Sequence, residues 1–132
     1  MKVARWIFGI AGVYGILFVT PLYFAEANIA RDNPPAITHA EFFYGFVGVT
    51  VAWQLVFLVI ARDPVRHRPL MLVSVLEKLA FGVPALILFA QQRLAASTLV
   101  FGCIDFVLGA LFVLAFFITR TAATAQMPAY HS

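Results

Sequence analysis

Four apolar runs fill most of this chain, each close to the roughly 20 residues that a helix needs to cross the hydrocarbon core of a bilayer. They cover about residues 5–24, 39–62, 69–91 and 98–120. Four such spans and their short connectors use nearly the whole chain and leave no room for a second domain. The predicted fold class is therefore all-α: an integral membrane four-helix bundle of antiparallel up-down topology, occupying 1–132 as a single domain. With 63% hydrophobic and 11% charged residues, the composition excludes an ordinary soluble fold, which runs at about 45–50% and about 25%.

The connections carry the turn and charge signals. Residues 25–38 (AEANIARDNPPAIT) read as the first loop, because Asn33-Pro34-Pro35 cannot continue a helix. Ala25-Glu26-Ala27 looks like a signal-peptidase site, but the apolar run before it is longer than a signal core of 7–15 residues, which favours an uncleaved first helix. Thr38 and Glu41 have the spacing of a capping box at the start of the second helix. Residues 62–69 (RDPVRHRP) form a tight charged turn, Pro84 predicts a kink in the third helix, and the tail at 121–132 is expected to be poorly ordered. Lys2, Arg5, Arg62, Arg66, Arg68 and Arg120 fall on one side of this arrangement, and Arg31 and Arg93 on the other. By the positive-inside rule the termini and the middle turn are cytoplasmic, and Trp6, Tyr23 and Tyr44 suit the membrane interfaces.

Lipid is as apolar as leucine, so the helices must associate through small residues and polar contacts. Glu41, Gly45, Gly48 and Ala52 share one stripe of the second helix, and Thr98, Gly102, Asp105 and Gly109 one stripe of the fourth. Gly9, Gly12 and Gly15 on the first helix, with Ser74, Lys78 and Ala85 on the third, complete four faces expected to meet at the centre. Thr50 and Gln54 lie opposite the Gly45/Gly48 stripe and are expected either to back-bond to the helix or to contact another copy of the protein. Tyr14 is assigned to packing, and Cys103 to a buried apolar position that allows no disulfide within one chain.

The ionisable residues inside the runs ask for more than packing. Counted along the helix, Glu77 and Lys78 lie roughly 12–14 Å into the membrane and Asp105 roughly 20 Å. A charge there costs about 2.5–3.5 kcal/mol on insertion scales, so such groups turn inward and pair. Lys78 with Asp105 is the simplest pair. Glu77 projects about 100° away on the helix, which leaves it to pair elsewhere, to snorkel or to be protonated. Glu77, Lys78, Asp105 and Glu41 are the candidate intramembrane polar site. Gly45, Gly48, Gly102 and Gly109 are the helix-packing positions. The three histidines, at 39, 67 and 131, offer no metal site in mid-membrane, and no cofactor motif, phosphate loop or catalytic triad is present in the sequence. The basic residues are scattered at helix ends, so nucleic acid is excluded as a partner in favour of the lipid bilayer.

The layout resembles small bacterial four-helix membrane proteins of the DoxX-like type. The resemblance is carried by Tyr14-Gly15, by Glu41 to Gly48 (EFFYGFVG), by the Arg/Pro turn at 62–69 and by a charged third helix. It implies an inner-membrane protein, in some members an accessory subunit of a redox or quinone-linked complex. The reading favoured by the sequence is a non-catalytic accessory or scaffold subunit that meets a membrane-protein partner or its own copies. The alternative is a small carrier, or a lipophile- or quinone-binding protein, that uses the Glu/Lys/Asp layer. Acid–base isomerisation of a buried lipid by the same groups is a third, less supported class.

Overall fold

The computed structural model describes residues 2–128 and is all-helical over them. Its elements are α1 (Lys2–Val19), a 3₁₀ segment (Thr20–Phe24), α2 (Glu26–Asp32), α3 (Ala40–Arg62), α4 (Arg68–Ala90), α5 (Ala96–Ile118) and α6 (Arg120–Ala125). Four of the helical segments are long and apolar enough to cross a membrane, and they fall on the four apolar runs of the sequence. Large apolar side chains on all four point outward, among them Trp6, Leu17, Val49, Leu76 and Val107. Exposed apolar cover of this extent marks a membrane or protein interaction surface.

Around the bundle the order is α3, α1, α5, α4. The largest interfaces are α4 with α5 and α1 with α3; α1 with α5 is smaller, and α3 with α4 is the thinnest of the four. The two halves of the bundle differ. At the end nearer the chain termini, Ala4, Phe8, Ala11, Phe57, Ile60, Met71, Phe112 and Ala115 form a fully buried core. Phe8 stacks on Phe112 at 4.3 Å between ring centroids, and Phe57 meets the same ring edge-on at 5.0 Å. At the same end, Arg68 donates from Nε to the Phe116 carbonyl at 3.0 Å and lies over the Phe116 ring, which fastens the start of α4 to the end of α5.

Several sequence expectations need correction. Residues 25–38 are not all loop: α2 occupies Glu26–Asp32, with an acid in its first turn and Arg31 in its last, charges that complement the helix dipole. The capping box is not made. His39 is the N-cap of α3 and Thr38 lies outside it, with no side-chain capping bond; Glu41 instead lies 3.5 Å from His39 Nδ1, both side chains exposed. The first run does not stay α-helical to its end, because Pro21 removes a donor and the last turn tightens to 3₁₀. The tail continues as α6 after a break at Thr119, whose buried hydroxyl donates back to the Ala115 carbonyl at 2.8 Å; residues 129–132, with His131, lie outside the described residues.

The largest correction concerns α3. Gly45 and Ala52 face outward, nothing lies within 4 Å of a Cβ placed on Gly45, and Gly48 meets only the Tyr23 hydroxyl. The inward face is the opposite one, Val47, Gln54, Phe57 and Ile60. A stripe of small residues marks a face for close approach without saying which neighbour approaches it. Cys103 is likewise exposed on the outer side of α5.

Candidate functional site

Above the packed core, the other half of the bundle is hollow. A cavity of about 380 Å³ runs between the four long helices. That lies within the 300–1,000 Å³ typical of small-molecule sites. Its walls are mostly apolar and aromatic. Two ring pairs bridge adjacent helices at its level: Phe18 of α1 with Phe101 of α5 at 6.2 Å between centroids, and Phe46 of α3 with Phe81 of α4 at 5.9 Å. The outer rim is formed by Val19 and Leu22, with Ile29 and Asn33 from α2 and its end. Tyr44 donates its hydroxyl to the Glu26 carboxylate at 2.6 Å, which ties α2 to α3 beside this rim.

The floor is polar. Lys78 Nζ lies 3.5 Å from a carboxylate oxygen of Glu77 and 3.5 Å from one of Asp105, and its side chain is only 4% exposed. The Lys78–Asp105 pairing across α4 and α5 is as expected from the sequence. Glu77 departs from expectation, since the same lysine serves both acids: its long stem lets the ammonium lie between them despite the helical offset. Below, the ammonium lies 5.0 Å from the centre of the Phe57 ring, so the charged layer rests directly on the aromatic core. Gly109 packs against the lysine stem, where an added Cβ would make an ordinary contact with Lys78 Cβ at 3.5 Å. Gly102, against Ala85, lets α4 and α5 approach closely enough for the pair to form.

Gln54 completes the floor from α3. It is 1% exposed; Nε2 donates to the Thr50 carbonyl at 2.8 Å, and Oε1 has no partner. A buried amide oxygen without a donor costs about 1–3 kcal/mol. Gly15 of α1 makes room for it, because a Cβ there would overlap the Gln54 amide. Glu77 Oε2 is also buried without a hydrogen-bond donor. Glu77 further lines a shallow groove on the outer surface, with Trp53, Val73, Phe46 and Phe81, so it stands between the cavity and the outward seam of α3 and α4. That seam is the thinnest interface of the bundle, and the Phe46/Phe81 pair closes it.

Of the four candidate polar residues, the structure brings Glu77, Lys78 and Asp105 together and leaves Glu41 on the surface with His39, outside the cavity. Tyr14, Thr50 and Gln54 also line the cavity, although the sequence alone places Tyr14 in helix packing and the other two away from the Gly45/Gly48 stripe. A lone glutamine amid apolar residues signals burial in a membrane helix, but its direction depends on which face of α3 turns inward. The chain matches no known protein family, no curated protein and no solved structure.

Proposed function

We propose that this protein is a multi-pass inner-membrane protein of bacterial type that binds a lipophile within its bundle, as a small carrier or binding protein. The observation that carries the reading is the apolar cavity set directly over the Glu77/Lys78/Asp105 layer. A packed helical scaffold has no need of either the void or the ionisable floor, and intramembrane charge is costly enough to mark function by default. The charge distribution supports an orientation in which the core end, beside Lys2, Arg62, Arg68 and Arg120, is cytoplasmic. The hollow half then lies toward the outer leaflet, with α2 at its rim and the α3/α4 seam as the route from lipid. The DoxX-like resemblance agrees with this architecture and adds no ligand to it.

A second reading rests on a different face. Gly45 and Ala52 point outward from α3, a small-residue surface suited to another membrane helix. We propose it as the contact for a partner protein or a second copy, which keeps the accessory-subunit role compatible with ligand binding.

Photolabelling tests the first reading. Alkyl diazirines with neutral, cationic and anionic heads are activated on the protein in nanodiscs, and the adducts are mapped by mass spectrometry. Saturable labelling of Phe18, Phe81 or Phe101 by at least one head class is expected. Labelling confined to outward residues such as Leu76 and Val107, at a level set by probe concentration alone, would overturn it.

A further inference from the structure

The balance of donors, acceptors and charge on the cavity floor narrows the ligand class. Glu77 and Asp105 supply two carboxylates and Lys78 one ammonium, a surplus of one negative group. Two further features of the same floor point the same way. Gln54 Oε1, packed against Gly15, is a buried acceptor without a hydrogen-bond donor, and Glu77 Oε2, also without one, is held only by the Lys78 ammonium at 3.5 Å. Lys78 also lines the cavity, but it lies between the two acids and above Phe57, so its charge is already engaged. A ligand head that brings positive charge and N–H groups would satisfy all of these at once. An alcohol brings a donor but no charge, and a carboxylate brings neither.

The walls suit the same head. Aromatic faces attract cations, and the Phe18/Phe101 and Phe46/Phe81 pairs stand on opposite sides of the space above the floor. Tyr14, Thr50 and Thr98 are further polar side chains of the lining, from α1, α3 and α5, with Asn33 at the rim. None adds a cation.

We propose that the cavity takes an amphiphilic ammonium: a protonated primary or secondary amine on an apolar body, its N–H groups directed at Glu77, Asp105 and Gln54 and its body among the phenylalanines. The proposal rests on the lipophile-binding reading and adds the chemistry of the head.

The test compares octylammonium, octyltrimethylammonium, octanol and octanoate on the whole protein in zwitterionic nanodiscs, by calorimetric titration with empty discs as the partition control. Octylammonium is expected to bind at least about ten-fold more tightly than octanol or octanoate, the order of one charge-assisted hydrogen bond. Octyltrimethylammonium, which keeps the charge and lacks N–H, should fall between. Glu77→Gln should remove most of the preference for octylammonium over octanol, with Asp105→Asn as the second variant. Equal or tighter binding of octanol or octanoate by the wild-type protein overturns the ammonium assignment and leaves the cavity reading standing. If no probe binds above the empty discs, the lipophile-binding reading itself fails.

Discussion

Gly102→Ala separates close helix packing from helix propensity by the sign of its effect. Alanine is favoured over glycine within a helix by about 1 kcal/mol, so propensity alone makes the substitution stabilising. In the folded bundle, however, the added Cβ would stand 2.9 Å from the Cβ of Ala85. That atom is fixed to the α4 backbone and is not the end of a flexible side chain, so α4 and α5 must move apart, and overpacking of this kind costs about 1–3 kcal/mol. The net expectation is a loss of about 1 kcal/mol. In an Ala85→Gly background the obstruction is gone, and Gly102→Ala should then stabilise by about 1 kcal/mol. The cycle has a coupling of about 2 kcal/mol, within the range for residues in direct contact. Reversible unfolding in bicelles on titration with dodecyl sulfate measures all four proteins. Stabilisation by Gly102→Ala in both backgrounds would refute the packing argument, and with it the helix register that puts Lys78 opposite Asp105.

Three other substitutions probe separate parts of the structure. Lys78→Met leaves Glu77 and Asp105 facing each other without a counter-charge, and loss of one partner from a buried pair costs about 3–5 kcal/mol; the same unfolding assay should show most of this recovered when both acids are also made amides. Tyr44→Phe removes the hydroxyl held by Glu26, so amide exchange in α2 should rise while that of α3 is unchanged, as hydrogen-exchange mass spectrometry will report. Gln92, at φ 58°, takes the left-handed conformation that ends α4, where Arg93 N–H donates back to the Leu88 carbonyl; Gln92→Gly should stabilise by about 1 kcal/mol, seen as a higher unfolding midpoint.

Much of the architecture is legible in the sequence because span length and hydropathy are local properties. The four long helices, the inward face of α4 and the Lys78–Asp105 pair follow from run length, helical periodicity and the cost of charge in lipid. The inward face of α3 does not follow. The Gly45/Gly48/Ala52 stripe and the Val47/Gln54/Phe57 face are both consistent with a membrane helix, and which one turns inward is decided by the neighbours, chiefly Gly15, Phe8 and Phe112. That inversion hid Gln54 and Thr50 from the candidate site. Tyr14 was missed for a related reason, since the first helix's glycines drift around its axis and do not define one face. The short α2 was masked by the Asn33-Pro34-Pro35 stop beside it, although Glu26 and Arg31 carried the end-charge signal of a helix. The cavity is legible only in three dimensions, because it depends on the difference in packing between the two ends of the bundle.

Native mass spectrometry of the wild-type protein and Thr98→Trp, each released from nanodiscs loaded with octylammonium, tests the ligand-binding account most directly. Thr98 lines the cavity from the first turns of α5, so an indole there occupies part of the space over the floor. The account predicts one retained ligand per wild-type chain and loss of that mass in Thr98→Trp, with the two proteins unfolding at similar temperatures. Equal retention by both would contradict a ligand site within the bundle, and retention by neither would contradict an ammonium ligand there.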